Sequence, residues 1–366
     1  ENASLALLGE LDALRIPEHT FANPETNAAH CCGHHAQMAG VFGAALALTV
    51  PEIAEKLDGQ VVFFATPAEE YGEIEFKNQL REQGKIRYGG GKCELLRIGA
   101  FDDIDLCLTH HIRPGNEILV GSGTGNGFVS KVIRVLGKAS HAAGAPEKGV
   151  NALSAASLGL QALGLNRETF RDEDCVRVHP IITKGGNLVN VIPDEVVVET
   201  LVRGKTIEAF TDAAKKTDRS FKAGAVAMGA KVEISTLPGY LPTLAEEALP
   251  ELKHAAEISA SGIPVIEASG HAGGSTDVGD VQHLMPVYTF NTGGVKGGLH
   301  QIDFEVTNEE EAYIVTAKMF ALAAYGLLKE KAQRSRELVD QYEPVFKNSA
   351  EYVEFMEQFD SKEIFE

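Results

Sequence analysis

The sequence predicts an α/β protein: a helix-flanked, mixed but mainly parallel sheet, interrupted by an inserted α+β open-faced sandwich. Three observations carry that expectation. Short continuous apolar runs, of which Gln60-Val-Val-Phe-Phe-Ala65 between Gly59 and Pro67 is the clearest, suit strands buried on both faces. Leu5–Asp12, that run and Leu106–Thr109 each end beside polar residues able to do chemistry, as expected where a site gathers at the C-terminal ends of parallel strands. Between about 121 and 238 the order changes to β-α-β-β-α-β, which is a sandwich in its own right.

A chain of 366 residues is long for a single core, so two domains are expected. Residues 1–120 and 239–366 form the first and 121–238 the second. Leu5-Ala-Leu-Leu-Gly-Glu-Leu-Asp12 reads as a buried strand, and a Pro/Asn/Thr-rich loop over 16–29 leads to His30-Cys-Cys-Gly-His-His35. Gln37–Val50 reads as a helix of small and apolar residues stopped by Pro51. In the insert, Phe128–Leu136 alternates like a half-exposed strand, and a helix is expected over Pro146–Leu165. Strands near 176–183 and 188–202, a helix near 206–229 and a strand near 231–236 follow. Pro238-Gly-Tyr-Leu-Pro242 marks the return; a helix near 243–259, a glycine-rich segment and a long helix from Asn308 complete the first domain. The last thirty residues, charged and amphipathic, read as a solvated surface helix.

A formal charge of -19 excludes a phosphate-backbone binder, which needs a basic surface, so no nucleic-acid partner is expected. No apolar run is read as reaching the roughly 18 residues of a membrane helix. The opening Glu1-Asn2-Ala3-Ser4 lacks the basic start of a signal peptide, and five cysteines, an odd number in a large chain, fit a reducing compartment. The cytoplasm is the expected location.

Four short segments carry candidate chemistry. Cys32-Gly-His34 sets two borderline-soft ligands one residue apart on a loop entering a helix, although Cys31 and His35 compete for the role. Glu69-Glu70 follows a strand; two adjacent carboxylates repel and are costly to bury unless a cation or proton intervenes, and on a loop they could equally be a solvated pair. His110-His111 follows the third strand, and His300 sits after Gly293-Gly-Val-Lys-Gly-Gly298, where bare backbone permits close approach to an ion. His271 reads as a ligand only as a minority alternative.

The succession Leu-Asp-Ala-Leu (11–14), Cys-Gly-His (32–34), Pro-Ala-Glu-Glu (67–70), His-x-x-Pro (111–114), Ser-His-Ala-Ala (140–143), Asn-Val-Ile-Pro-Asp (190–194), Arg203, Gly-Ser-Thr-Asp-Val-Gly-Asp (274–280) and Gly-Leu-His (298–300) resembles the aminoacylase/carboxypeptidase-G clan of metallohydrolases. It is most similar to the cysteine-ligand amidohydrolase branch, with its auxin-conjugate and aminobenzoyl-glutamate hydrolases, from Leu5 to about Tyr325. The resemblance implies two divalent ions per subunit, zinc or manganese with nickel or cobalt as alternatives, held by Cys32, His34, Glu70, His111 and His300. It implies Glu69 as the general base that activates water, with Asp12 supporting the ligands. His141 would stabilise an oxyanion, reaching across a homodimer formed through the inserted lid domain. Asn190, Arg203, Ser275 and Thr276 would contact the substrate, Arg203 at a carboxylate, although Arg203 could equally pair with Asp194 or Glu199. The implied substrates are N-acyl amino acids or dipeptide-like conjugates. A dipeptidase or aminopeptidase on the same scaffold and a non-catalytic ligand-binding relative are the rivals. The family carries several dozen residues ahead of the Leu-Asp-Ala-Leu strand, so part of the N-terminal region is expected to be missing.

Overall fold

The computed structural model describes residues 3–366. Its main sheet has the strand order Val265–Glu267, Ile118–Val120, Val287–Thr292, Leu106–Ile112, Ala3–Glu10, Gly59–Thr66. Four neighbours (Val287–Thr292 through Gly59–Thr66) are parallel. The pair Val265–Glu267 and Ile118–Val120 is parallel within itself and antiparallel to the rest. The predicted mixed, mainly parallel sheet is therefore present. All of Ala3–Glu10 is buried, and its period-two alternation divides two cores. Leu5 and Leu7 join Leu106, Leu108, Phe290 and Phe320 on one face. Ala6 and Leu8 join Cys107, Tyr71, Phe101 and Tyr352 on the other. Leu7→Ala should cost about 2–5 kcal/mol, as large-to-small changes in packed cores do.

Gly59–Thr66, expected to be buried on both faces, is instead an edge strand among the described residues and only half-buried. Its continuous apolar run cannot distinguish an edge from a centre. The long terminal helix also corrects the membrane expectation. Glu310–Gln341 is long and apolar enough to cross a membrane by length and composition alone. Met319, Phe320, Ala323, Ala324, Leu327 and Leu328 nevertheless lie fully buried in the first core, so its apolar content is accounted for by packing. Its opening Glu310–Val315 turn is π-helical. The helix breaks at 329–332, where Glu330, Lys331 and Ala332 take positive φ. Asp58 covers the break, its Oδ2 accepting the Lys331 N–H and its own N–H donating to Leu328 O at 2.8 Å.

The inserted sheet is antiparallel, in the order Ile181–Lys184, Glu195–Gly204, Gly127–Leu136, Lys231–Tyr240, Ser361–Phe365. Helices Ala152–Asn166 and Ile207–Met228 cover one face. They approach so closely that a Cβ at Gly224 would fall 2.3 Å from Ala155 O. Gly127–Leu136 is buried almost throughout rather than half-exposed. It is a central strand, and Phe128 and Val132 pack against Tyr71 and Tyr240 on its second face. Residues 188–194 turn instead of extending the strand, which begins at Glu195. The helix expected from Pro146 starts at Ala152, capped by Asn151 Oδ1 accepting the Ser154 N–H. The helix expected from 243 starts at Pro250, whose missing N–H is harmless in a first turn.

The chain end differs most. Ser349–Glu357 is a helix, but Tyr352 and Met356 are buried. Ser361–Phe365 then pairs with Lys231–Tyr240 in the register Val232↔Phe365. The last residues thus return to the inserted sheet rather than remaining with the segment 239–366.

Candidate metal centre

The loops after the parallel strands converge at one end of the main sheet. Gly33 turns the Cys32-Gly33-His34 segment into the helix His34–Leu48 at φ 86°. A Cβ there would lie 2.0 Å from Ile112 Cγ2, so only glycine lets this loop rest on the strand that carries His111. The Glu69-Glu70 loop is equally constrained: Ala68 and Tyr71 flank it with positive φ, and a Cβ at Gly91 would sit 1.5 Å from Pro67 O. Tyr240, from the inserted sheet, donates its hydroxyl to Glu69 O at 2.6 Å. His300 itself takes φ 63°, its N–H donating to Cys31 O at 2.9 Å. Non-glycine residues in this region store strain, which concentrates at functional sites.

Strand alternation decides between the paired histidines. His110 and His111 lie within Leu106–Ile112, not after it, so they point to opposite faces. His110 Nε2 meets Thr292 Oγ1 at 2.8 Å, and its ring packs on Phe290. His111 Nε2 lies 3.4 Å from Cys32 Sγ. Cys32 Sγ is also 3.2 Å from His300 Nε2, which is 3.3 Å from Glu70 Oε1. His34 Nδ1 faces Asp12 O at 3.0 Å and Asp12 Oδ1 at 3.3 Å, leaving Nε2 directed inward, 3.9 Å from both Glu69 Oε2 and Glu70 Oε1.

Two donor sets share Cys32, Cys32/His34/His111 and Cys32/Glu70/His300, with the donor atoms of each mutually within 4.8 Å; a third, Glu10/His34/Glu69, adjoins them through His34. His34 Nε2 and Glu70 Oε1 are buried without a hydrogen-bond partner. Orphaned buried polar atoms are costly and rare; here they face one another, as donors around a cation do. Thiolate, imidazole and carboxylate are the donor types that divalent transition metals take, so the residues fit a pair of such ions.

The electrostatics agree. Burial would depress His34, but Asp12, Glu10 and Glu69 outweigh it and lift the imidazole to about 9. Burial would raise Asp12, yet the hydrogen bonds from His34 and from the Glu70 N–H, at 2.9 Å to Oδ2, hold it at about 2. Glu69 is pushed well above the usual carboxylate range by burial and by the neighbouring Glu10 and Asp277. Glu70 stays low because His300 outweighs its burial. Burial and then Glu70 raise the Cys32 thiol, so cation binding there must displace a proton. Glu69, beside the cluster and inclined to hold a proton, has the character of a general base.

The neighbouring alternatives fall away. Cys31 is buried in a small apolar cluster and faces Ala29 O. His35 meets Tyr313 edge-on, and burial lowers it to about 4. His271 faces Thr124 Oγ1 at 2.9 Å and Asn126 Oδ1 at 3.1 Å, outside both donor sets. Three residues were given no role by the sequence reading, although Asp277 lies inside one of its motifs: Glu10, 3.2 Å from His34 Nε2; fully buried Lys92, 2.5 Å from Glu10 Oε1; and fully buried Asp277, 2.6 Å from Lys92 Nζ. Glu10 could have been found as an acid closing a mostly apolar strand; nothing in Gly89-Gly-Gly-Lys92 announced the lysine.

Two cavities open from the centre. One of about 550 Å³ is lined by Glu69, His111, Ser275, Thr276 and His300 among others. The second, about 340 Å³, runs from Glu69 and Glu70 past Arg203, Arg177 and His179. Arg203 Nη1 donates to Ser275 Oγ at 2.8 Å and pairs with neither Asp194 nor Glu199. Arg203, Ser275 and Thr276 thus join the centre. His141 and Asn190 do not line either cavity. They sit together elsewhere on the inserted domain, where the Ala142 N–H donates to Asn190 O at 3.0 Å. His141 Nδ1 there accepts the N–H groups of Ala143 and Gly144.

The chain is similar to several known proteins. The chain is 28% identical over 311 residues to the Xaa-Arg dipeptidase of Mus musculus, covering 83% of this chain and 64% of that protein. The chain therefore spans less than two thirds of that relative's length. It is 25% identical over 348 residues to the N-acetyl-L-cysteine deacetylase of Bacillus subtilis (strain 168), covering 92% and 77%. Among solved structures, a Bacillus subtilis protein described as a dinuclear metal-binding peptidase of the M20 family superposes with a TM-score of 0.58 at 23% identity, over 90% of this chain and 82% of its own. The family model for Peptidase family M20/M25/M40 matches residues 6–325, nearly the whole sheet and every residue of both donor sets, and the chain belongs to that family.

Proposed function

We propose that the protein hydrolyses the amide bond of N-acyl amino acids or dipeptide-like conjugates, using two divalent ions held by Cys32, His34, Glu70, His111 and His300. One observation carries the reading: side chains from four separate loops and strands form two donor sets that share Cys32, each within 4.8 Å, and leave His34 Nε2 and Glu70 Oε1 buried without hydrogen-bond partners beside Glu69. Zinc or manganese suits the set, and nickel or cobalt is compatible with it. When bound, such ions acidify water and polarise a carbonyl. Glu69 takes the proton from the attacking water and returns it to the leaving amine, a task for a carboxylate held above its usual range. Asp12 fixes the His34 ring through Nδ1 and the Glu70 backbone through its N–H.

Arg203 receives the carboxylate of the substrate. It stands directly opposite Arg177 across the strand pair, and neither forms an ion pair among the described residues, so an anion between them would relieve their repulsion. The relatives favour the same chemistry: beside the dipeptidase and the deacetylase, the indole-3-acetyl-aspartic acid hydrolase of Enterobacter agglomerans is 26% identical over 267 residues. The dipeptidase reading rests on the first of these and differs in requiring a free substrate amine. Exposed Ile181, Leu188 and Val189 on the inserted domain support a homodimer through that domain, which would let His141 serve a partner's site. A cytoplasmic location belongs to the same proposal. The test is a metal-reconstituted screen of N-acyl amino acids and dipeptides read by amine release. Turnover that survives blocking of the amine selects the acylase reading, and turnover that needs the free amine selects the dipeptidase.

A further inference from the structure

We propose that Glu10 is a sixth protein ligand, completing the His34 side of the pair, and that Lys92 is the positioning residue that aims it. The inference rests on the dinuclear reading above. Glu10 closes the buried strand Ala3–Glu10, and its side chain is 3% exposed. Its backbone is pinned by Gln37, whose Oε1 accepts the Glu10 N–H at 2.5 Å. The two carboxylate oxygens have different surroundings. Oε1 accepts from Lys92 Nζ at 2.5 Å. Oε2 turns the other way and lies 3.2 Å from His34 Nε2, the imidazole atom without a hydrogen-bond partner. Together with Glu69, these two residues form a third donor set within 4.8 Å.

Lys92 is held on three counts. Its Nζ reaches Asp277 Oδ1 at 2.6 Å as well as Glu10, and its N–H donates to Asp277 Oδ2 at 2.8 Å. Glu10, Lys92 and Asp277 thus bury two carboxylates against one ammonium. Isolated charge in such surroundings is costly unless something compensates it. A plain structural ion pair would leave both Glu10 oxygens to Lys92 or to backbone donors. Here one oxygen is aimed at the metal-facing nitrogen of His34. With Glu10, the Cys32/His34/His111 set reaches four protein donors, one thiolate, two imidazoles and one carboxylate, a composition divalent ions accept.

Cobalt(II) titration of the metal-free full chain, followed by absorption and checked by elemental analysis, tests this. The unaltered chain should take up two equivalents; failure to bind any would remove the dinuclear reading and this inference with it. With two equivalents established, Glu10→Gln should weaken one ion by at least about tenfold, the lower range for loss of even an outer partner. Its ligand-field bands should also change, while the second ion and the cysteine charge-transfer band persist. Lys92→Met, which frees Oε1, should perturb the bands of the same ion. Wild-type affinity and spectrum for both ions in Glu10→Gln would overturn the proposal while leaving the dinuclear reading standing. Should Glu10→Gln fail to fold by circular dichroism, Glu10→Gln/Lys92→Met/Asp277→Asn, which leaves none of the three buried charges behind, takes its place: one weakened ion supports the proposal and two tight ions overturn it.

Discussion

The strand-end loops of the main sheet and the loop tips of the inserted sheet were assigned residues of comparable importance, yet they behave differently. Cys32, His34, Glu70, His111 and His300 come together in a single chain. Each is fixed by backbone that has no alternative: Gly33 pressed on Ile112, Gly91 on Pro67, His300 tied to Cys31. His141 and Asn190 instead stand exposed, and their bonds go to loops of the inserted domain alone. The contrast separates what one chain preorganises from what must be supplied by motion or by a second copy. Parallel strands deliver their C-terminal ends to one place regardless of the rest of the molecule, whereas a lid loop is a surface element whose function depends on where the lid sits.

The largest expected effect lies on the preorganised side. Glu69→Gln should cut kcat by about 10²–10⁴, the usual worth of a positioned acid–base group, with metal content unchanged by elemental analysis; full turnover would remove Glu69 as the base. Next comes Arg203→Met. Losing a hydrogen-bonded charge partner costs about 1.5–3 kcal/mol, so KM for carboxylate substrates should rise about 10- to 100-fold, and the amide analogue should lose its disadvantage. An equal KM for acid and amide in the unaltered enzyme would contradict that assignment.

On the exposed side, His141→Ala should lower turnover without altering metal content. Mixing it with Glu69→Gln should restore part of the activity, since a mixed dimer carries one site with both residues intact. No restoration, in a preparation shown to exchange subunits, would exclude action across a dimer. The smallest effect concerns stability of the metal-free chain. His34 is lifted from 6.5 to about 9 by its acidic neighbours, so its stabilising contribution is complete below about 6.5 and is lost as pH rises through about 9. The difference in urea midpoint between the unaltered metal-free chain and His34→Gln should therefore shrink across that window. A difference that stays constant or grows would show that the imidazole is not held charged by Asp12 and Glu10.

Much of this centre was legible because strand ends and loop glycines are marked in sequence. An apolar run followed by Glu69-Glu70, or by His110-His111, tells where a strand delivers polar groups, but only the resemblance singled out His111; alternation separates it from His110 once both are seen to lie inside Leu106–Ile112. The spacing of Cys32 and His34 around Gly33 likewise encoded a turn that no other residue permits. What stayed hidden depends on non-local pairing. An apolar run cannot say whether it is central or edge, so Gly59–Thr66 was misplaced. The charged tail Ser361–Phe365 gives little hint that it joins the inserted sheet 125–133 positions away from its partners, because strand addition uses backbone groups that every residue carries. Lys92 was invisible for a related reason: a buried lysine is specified by its partners Glu10 and Asp277, which lie far from it in sequence.

The most direct test is anomalous diffraction from crystals of the metal-loaded protein. The account predicts two peaks per chain, one bounded by Cys32, His34 and His111 and the other by Cys32, Glu70 and His300. A chain carrying no ion, or ions lodged elsewhere while these five side chains keep their places, would contradict it.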